Sequence, residues 1–181
     1  MTEYADIDKV LSELRHGHSC LLLNENSAGG VTGFVVVAAE HCEAEHIAFM
    51  ARQARGLVCL AMTPQRCEEL ELPLMVEGDD SLSPFTLSIE AATGIDTGIS
   101  AADRARTVRV AVDASSQASD LVQPGHIFPI AVAVGGVLTR TAPAEAAMDL
   151  TTLAGLLPSA VFTEVLDNNG AVADADYLLG F

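Results

Sequence analysis

Residues 43–62 read EAEHIAFMARQARGLVCLAM, and this stretch sets the fold class. Ile47, Met50 and Ala54 recur at helical spacing through 43–55. Gly56 breaks that pattern, and 57–62 form a short apolar run of strand type. A short buried strand next to an amphipathic helix needs a sheet to pair with and a helix to cover it. The same punctuation recurs on both sides. Toward the N-terminus, Ile7, Val10, Leu11 and Leu14 predict a helix over 5–16 that stops before Gly17. Residues 19–23 and 34–39 read as strands, with NENSAGGVTG (24–33) as the loop between them. Toward the C-terminus, Thr63-Pro64 opens a helix to about residue 70, an acidic loop fills 77–84, and 85–90 alternates as a strand. Ser100 with Asp103 forms a capping signal for a helix over 100–111. Residues 127–132 and 137–140 are strand-like, 148–156 helical, and 161–166 a further strand with Asp167-Asn168-Asn169-Gly170 as its turn. The spacing is too irregular for a repeating βαβ series. The expectation is an α+β fold, a mixed twisted sheet with helices on its faces in three layers.

A length of 181 residues, half of them hydrophobic, predicts a single domain over 1–181. Nine basic against 25 acidic side chains leave a net charge of −16, which argues against nucleic acid or an anionic membrane as partner. Lys9 is the single lysine, so positive charge rests on the arginines. Residues 1–8 are acidic and run straight into a helical pattern, which does not fit a signal peptide. The longest uncharged runs are too short, and too broken by Gly or Pro, to span a bilayer. Cys20, Cys42, Cys59 and Cys67 form no CxxC pair and no zinc-ligand spacing, so they read as reduced thiols of a cytoplasmic protein.

Three stretches carry candidate chemistry. EHCEAEH (40–46) crowds potential metal ligands; on a helix Cys42 and His46 share a face, as do His41 and Glu45. The same stretch also suits an acidic helix start, where Glu43 and Glu45 favour the macrodipole. His16 and His18 flank Gly17 in what reads as an exposed turn. TGISAADRARTVR (97–109) puts three arginines just after a capped, Gly-containing helix start. Free amides and guanidinium groups there suit a phosphate or carboxylate, although the arginines could equally pair with surface acids. QPGHIFP (123–129) places His126 in a rigid turn leading into a strand, a position suited to general acid/base chemistry.

TGISAADRARTVR, PGHIFP (124–129) and GGVLTR (135–140) together resemble the 3,4-dihydroxy-2-butanone-4-phosphate synthase family. EAAMDL (145–150), GLVCLAMT (56–63) and LPLMVE (72–77) support the resemblance, which covers nearly the whole chain. It implies an α+β homodimer with active sites near the subunit interface. It also implies conversion of ribulose 5-phosphate to 3,4-dihydroxy-2-butanone 4-phosphate and formate with magnesium. The ion would polarise the sugar oxygens while side chains move protons. By position, Cys59 matches the family cysteine near the site, His126 the catalytic histidine and Glu164 the catalytic glutamate. Arg140 and Thr107 match residues that hold the substrate phosphate, and Asp103 and Arg104 join them as candidate substrate-binding groups.

The metal half of the family pattern is missing. Where the family reads roughly DDEDRENEGD, this chain reads ENSAGGVTGF (25–34). The Arg and Glu fall on Gly29 and Gly30, the second Glu on Thr32 and the final Asp on Phe34. The family's GHTEA reads APAEA (142–146), with Pro143 in place of the ligand histidine and Ala144 in place of threonine. Magnesium takes oxygen donors, mainly carboxylates, and none of these residues supplies one. Gln123 and Ala131 likewise replace basic family residues. The expectation is a cytoplasmic homodimer that holds no magnesium or other cofactor. It would be a pseudoenzyme binding a phosphorylated small molecule or a protein partner. One alternative is metal-free acid/base chemistry through His126, Glu164 and Cys59. Another is an active synthase with relocated ligands, such as Glu25 or the 40–46 cluster. The family continues through a terminal helix and strand beyond the position of residues 177–181, so either a naturally short member or a truncated chain is expected.

Overall fold

In a computed structural model, the structure describes residues 4–25, 29–76 and 84–181. The first half carries α1 (Ile7–Arg15), β1 (Cys20–Glu25), β2 (Val31–Ala38), α2 (Ala44–Phe49), β3 (Cys59–Met62) and α3 (Pro64–Glu69). The second carries β4 (Ile89–Ala91), α4 (Ala101–Val112), β5 (Leu121–Ala131), α5 (Pro143–Leu153), β6 (Ala160–Glu164) and α6 (Ala175–Gly180). The six strands form one sheet in the order β1-β2-β6-β3-β5-β4, in which only β3 and β5 run parallel.

Alternation along the central strands builds two cores. In β2, Val35 and Val37 face one side while Phe34 and Val36 face the other; in β3, Leu60 and Met62 oppose Cys59 and Ala61. The first core takes Ile47 from α2, Cys67 from α3, Val108 from α4 and Leu178 from α6. The second takes Ala144, Ala147 and Met148 from α5. Strands buried on both faces read as continuous apolar runs, as GFVVVA in β2 does. The expected three-layer α+β architecture is therefore present. Helix starts are sealed locally: Asp6 accepts from Asp8 N, Thr63 from Arg66 N and Ser100 from Asp103 N. No helix among the described residues is long and apolar enough to cross a membrane.

Several boundaries differ from the sequence expectations. Residues 137–140 are not a strand. A single 3-10 turn, Gly136–Leu138, lies there, because Gly135 (φ 97°) and Gly136 (φ 60°) are left-handed and turn the chain away from the sheet. The helix expected over 43–55 is α2 followed by a π-helical turn, Met50–Ala54, closed by Arg55 N donating to Met50 O at 2.7 Å. The Arg55 side chain donates to Leu166 O and Asn168 Oδ1, which ties this wider turn to the C-terminal segment. The helix expected over 148–156 starts earlier, with Pro143 in its first turn, and ends at Leu153. The strand expected over 127–132 begins at Leu121, so the turn expected around His126 lies inside β5. The 24–33 loop is shorter than expected, since β1 runs to Glu25 and β2 starts at Val31; residues 26–28 lie outside the described residues. Most of the acidic loop at 77–84 is likewise outside them.

Gly33 in β2 is a close-approach site, because a Cβ there would run into the Leu178 side chain of α6. Gly33→Ala is expected to cost about 1–3 kcal/mol by overpacking. The loss should largely vanish in a Leu178→Ala background, a non-additivity that urea unfolding of the double-mutant cycle measures.

Candidate active site

A cavity of about 370 Å³ lies between the ends of the central strands and the start of α5. Phe34 of β2, Cys59 of β3, and Phe162 and Glu164 of β6 line it, with Arg140, Pro143, Ala144 and Glu145 opposite. Pairing explains the convergence: Phe34 lies across from Glu164, and Cys59 across from both Phe162 and Phe128. Phe34 meets Phe162 edge-on with ring centroids 6.2 Å apart, and Leu57, Phe85 and Ile130 extend this apolar wall.

The polar side of the cavity is built around Glu145, which is 0% exposed and forms an ion pair with Arg140. Its Oε1 also accepts from Ala133 N at 3.1 Å. A carboxylate buried so completely needs such partners, and here they fix the guanidinium group in the cavity wall. Sequence reasoning did not single out Glu145 as a site residue. The available signal was a lone acid in the otherwise apolar APAEAAM run. Burial raises the Glu164 carboxyl above its ordinary value. Burial first, and then the charge of Glu164, push the Cys59 thiol up to about 12, and its Sγ lies 3.6 Å from Leu57 O. At neutral pH this thiol is protonated, which does not suit it to nucleophilic work.

The other candidates lie elsewhere. His126 is not among the residues lining this cavity; its Nδ1 meets the Glu90 carboxylate of β4. Thr107 is buried, donates to Asp103 O and accepts from Ala91 N, both at 3.0 Å, so its hydroxyl ties α4 to β4. Asp103 accepts from Gly98 N at 3.1 Å, closing the loop before α4. The Arg104 Nε is buried without a hydrogen-bond partner among the described residues. Arg106 donates to Thr93 O, and Arg109 pairs with Glu43 at 2.8 Å. The structure thus brings Cys59, Arg140 and Glu164 together and leaves His126, Asp103, Arg104 and Thr107 around β4 and α4.

The residues expected to fall on the family's metal motifs divide in the same way. Phe34, Pro143 and Ala144 are part of the cavity wall. Gly29 and Gly30 precede β2, and Thr32 sits two residues before Phe34, on the same strand face. For a magnesium centre the cavity offers two carboxylates, Glu164 and Glu145; Glu145 Oε1 is engaged by Arg140 and Ala133 N, which fits a metal ion poorly, while Glu145 Oε2 is buried without a hydrogen-bond partner among the described residues. Among the described residues no three His, Cys, Asp or Glu side chains are grouped to hold a metal ion, the 40–46 cluster included. In that cluster His46 Nδ1 instead accepts from Glu43 N at 3.0 Å.

Two outcomes follow from this geometry. Thr107→Val leaves Ala91 N without its acceptor in a buried setting, and urea unfolding should show a loss of about 1–3 kcal/mol. For Glu164, a raised carboxyl means that the folded state binds the proton more tightly than the unfolded state. Its stabilisation is complete below the ordinary carboxylate range and is lost as pH rises through the raised value. Glu164→Gln should therefore melt at a higher temperature than the parent at pH 7.5, with the two converging near pH 4 in a calorimetric series.

Comparison with known proteins identifies the family. The family model of 3,4-dihydroxy-2-butanone 4-phosphate synthase matches residues 8–181. The 3,4-dihydroxy-2-butanone 4-phosphate synthase of Pseudomonas syringae pv. tomato is 46% identical over 92% of this chain and 46% of its own length. That of Pectobacterium carotovorum is 42% identical over 97% of this chain and 81% of its own. The chain thus spans about half the length of the Pseudomonas relatives. Among solved structures, the Candida albicans synthase superposes with a TM-score of 0.90 at 32% identity, over 99% of this chain and 90% of that one. A two-domain synthase from A. baumannii gives 0.89 at 40% identity, over 96% and 52%. A synthase in complex with two magnesium ions gives 0.85 at 34% identity, over 91% and 77%. With a matching family model and relatives of this identity across nearly all its residues, the chain belongs to the 3,4-dihydroxy-2-butanone 4-phosphate synthase family.

Proposed function

We propose that this chain is a member of the family that does not carry out the magnesium-dependent conversion of ribulose 5-phosphate, and that its cavity serves binding instead. One observation carries the reading. Phe34, Pro143 and Ala144, which match the family's final acid of the metal loop, its ligand histidine and the adjacent threonine, form a cavity wall without ligand atoms. Arg140 is the cation lining the cavity, and its guanidinium, 30% exposed beside Glu145, is the group that supports a small phosphorylated molecule as occupant. We read the assembly as a homodimer. Exposed Leu57 at the cavity and the nearly bare Val134 and Leu138 before Arg140 support a covered face there, open to a second copy or another protein partner. The acid-rich surface weighs against nucleic acid and anionic membranes.

A second reading, metal-free acid/base chemistry on a sugar phosphate, is favoured by the raised carboxyl of Glu164, which keeps its proton closer to neutrality than an ordinary glutamate. The names of the relatives favour a third, an active synthase with relocated ligands. Formate release from ribulose 5-phosphate separates the three. The binding reading expects none, with or without magnesium. Formate formed at enzyme-like rates and abolished by chelation would establish the synthase. Turnover that survives chelation and is lost in Glu164→Gln would establish the metal-free enzyme.

A further inference from the structure

β4 and β5 pair irregularly where His126 sits. Ile89 lies across from Ile127, but the next residue, Glu90, lies across from Val122, so residues 123–126 bulge out of the ladder. A bulge bends its strand and re-aims the side chains within it. Here it is pinned by Gly125 N donating to Ser88 Oγ at 3.0 Å. The result is that His126 Nδ1 meets the Glu90 carboxylate, with the imidazole 43% exposed and the carboxylate only 15% exposed. Nothing among the described residues hydrogen-bonds Nε2.

Two glycines from separate motifs make room for this pair. A Cβ on Gly98, in the TGIS segment, would collide with the Glu90 carboxylate. One on Gly125, in the PGH segment, would collide with the Ile89 carbonyl and the Glu90 side chain. The backbone beside Glu90 is held as well, since Ala91 N donates to Thr107 Oγ1 and Gly98 N to Asp103 Oδ2. Segments that look unrelated in the chain therefore share one task, lodging a carboxylate against one nitrogen of one histidine.

We propose that Glu90 is the positioning residue of His126. It keeps the ring proton on Nδ1 and leaves Nε2 as the free, solvent-facing basic nitrogen. A carboxylate bound to one imidazole nitrogen fixes the tautomer in this way, and the ring orientation follows from it. The inference goes beyond the reading of the cavity, and neither Glu90 nor His126 lines that cavity. Each can fail without the other.

The test is the 15N spectrum of the imidazole rings in the full chain at alkaline pH, with His126 assigned by its loss in His126→Asn. The expected spectrum shows His126 protonated at Nδ1 and bare at Nε2. In Glu90→Ala the proton should move predominantly to Nε2, a change that a purely packing role for Glu90 would not produce. A parent spectrum with the proton on Nε2, or one unchanged in Glu90→Ala, overturns the proposal. If Glu90→Ala does not fold, the parent spectrum alone decides.

Discussion

Everything in this molecule rests on the alternation of side chains along β2, β3 and β6, which are apolar on both faces. Because Leu60 and Met62 point one way and Cys59 and Ala61 the other, the sheet must be covered twice. One cover is α2, α3, α4 and α6; the other is α5 with α1 beside it. A single layer of helices would leave half of these side chains in water, at about 25 cal/mol for each Å² of apolar surface left uncovered. The two covers also separate the chemistry. The cavity opens on the α5 side, while Thr107 braces β4 from α4 on the opposite cover.

Within the cavity, Glu145 organises the polar groups. A fully buried carboxylate at the start of α5 draws in Arg140 and Ala133 N, so the loop between β5 and α5 is folded around it. This constraint is independent of any metal ion. It explains how the site can keep its shape while Phe34, Pro143 and Ala144 form its wall. A packed core tolerates apolar residues in a cavity wall, provided the charges beside them stay paired.

Much of the fold was legible in the chain. Helical spacing located α1 and α4, the capping Ser100 marked the start of α4 correctly, and the continuous apolar runs of β2 and β3 announced strands buried on both faces. The failures have two causes. Residues 137–140 look like a strand by composition, but the left-handed Gly135 and Gly136 turn the chain into a 3-10 turn there. The π turn after α2 depends on Arg55 reaching Leu166 and Asn168, more than a hundred residues away, which no local pattern encodes.

The site divides along the same line. By itself the sequence determined which chemical groups the chain owns: the candidate residues Cys59, His126, Arg140 and Glu164, and the apolar or small residues Gly29, Gly30, Phe34, Pro143 and Ala144. These are matters of residue identity and order. Only the tertiary structure decided which groups meet. It joined Cys59, Arg140 and Glu164 around Glu145 and set His126 apart against Glu90. It also turned Thr107 inward as a strut. The physical reason is that strand register, a bulge in β5 and the burial of two carboxylates are settled by packing between distant segments, so the partner of a charged group cannot be read from its neighbours in sequence.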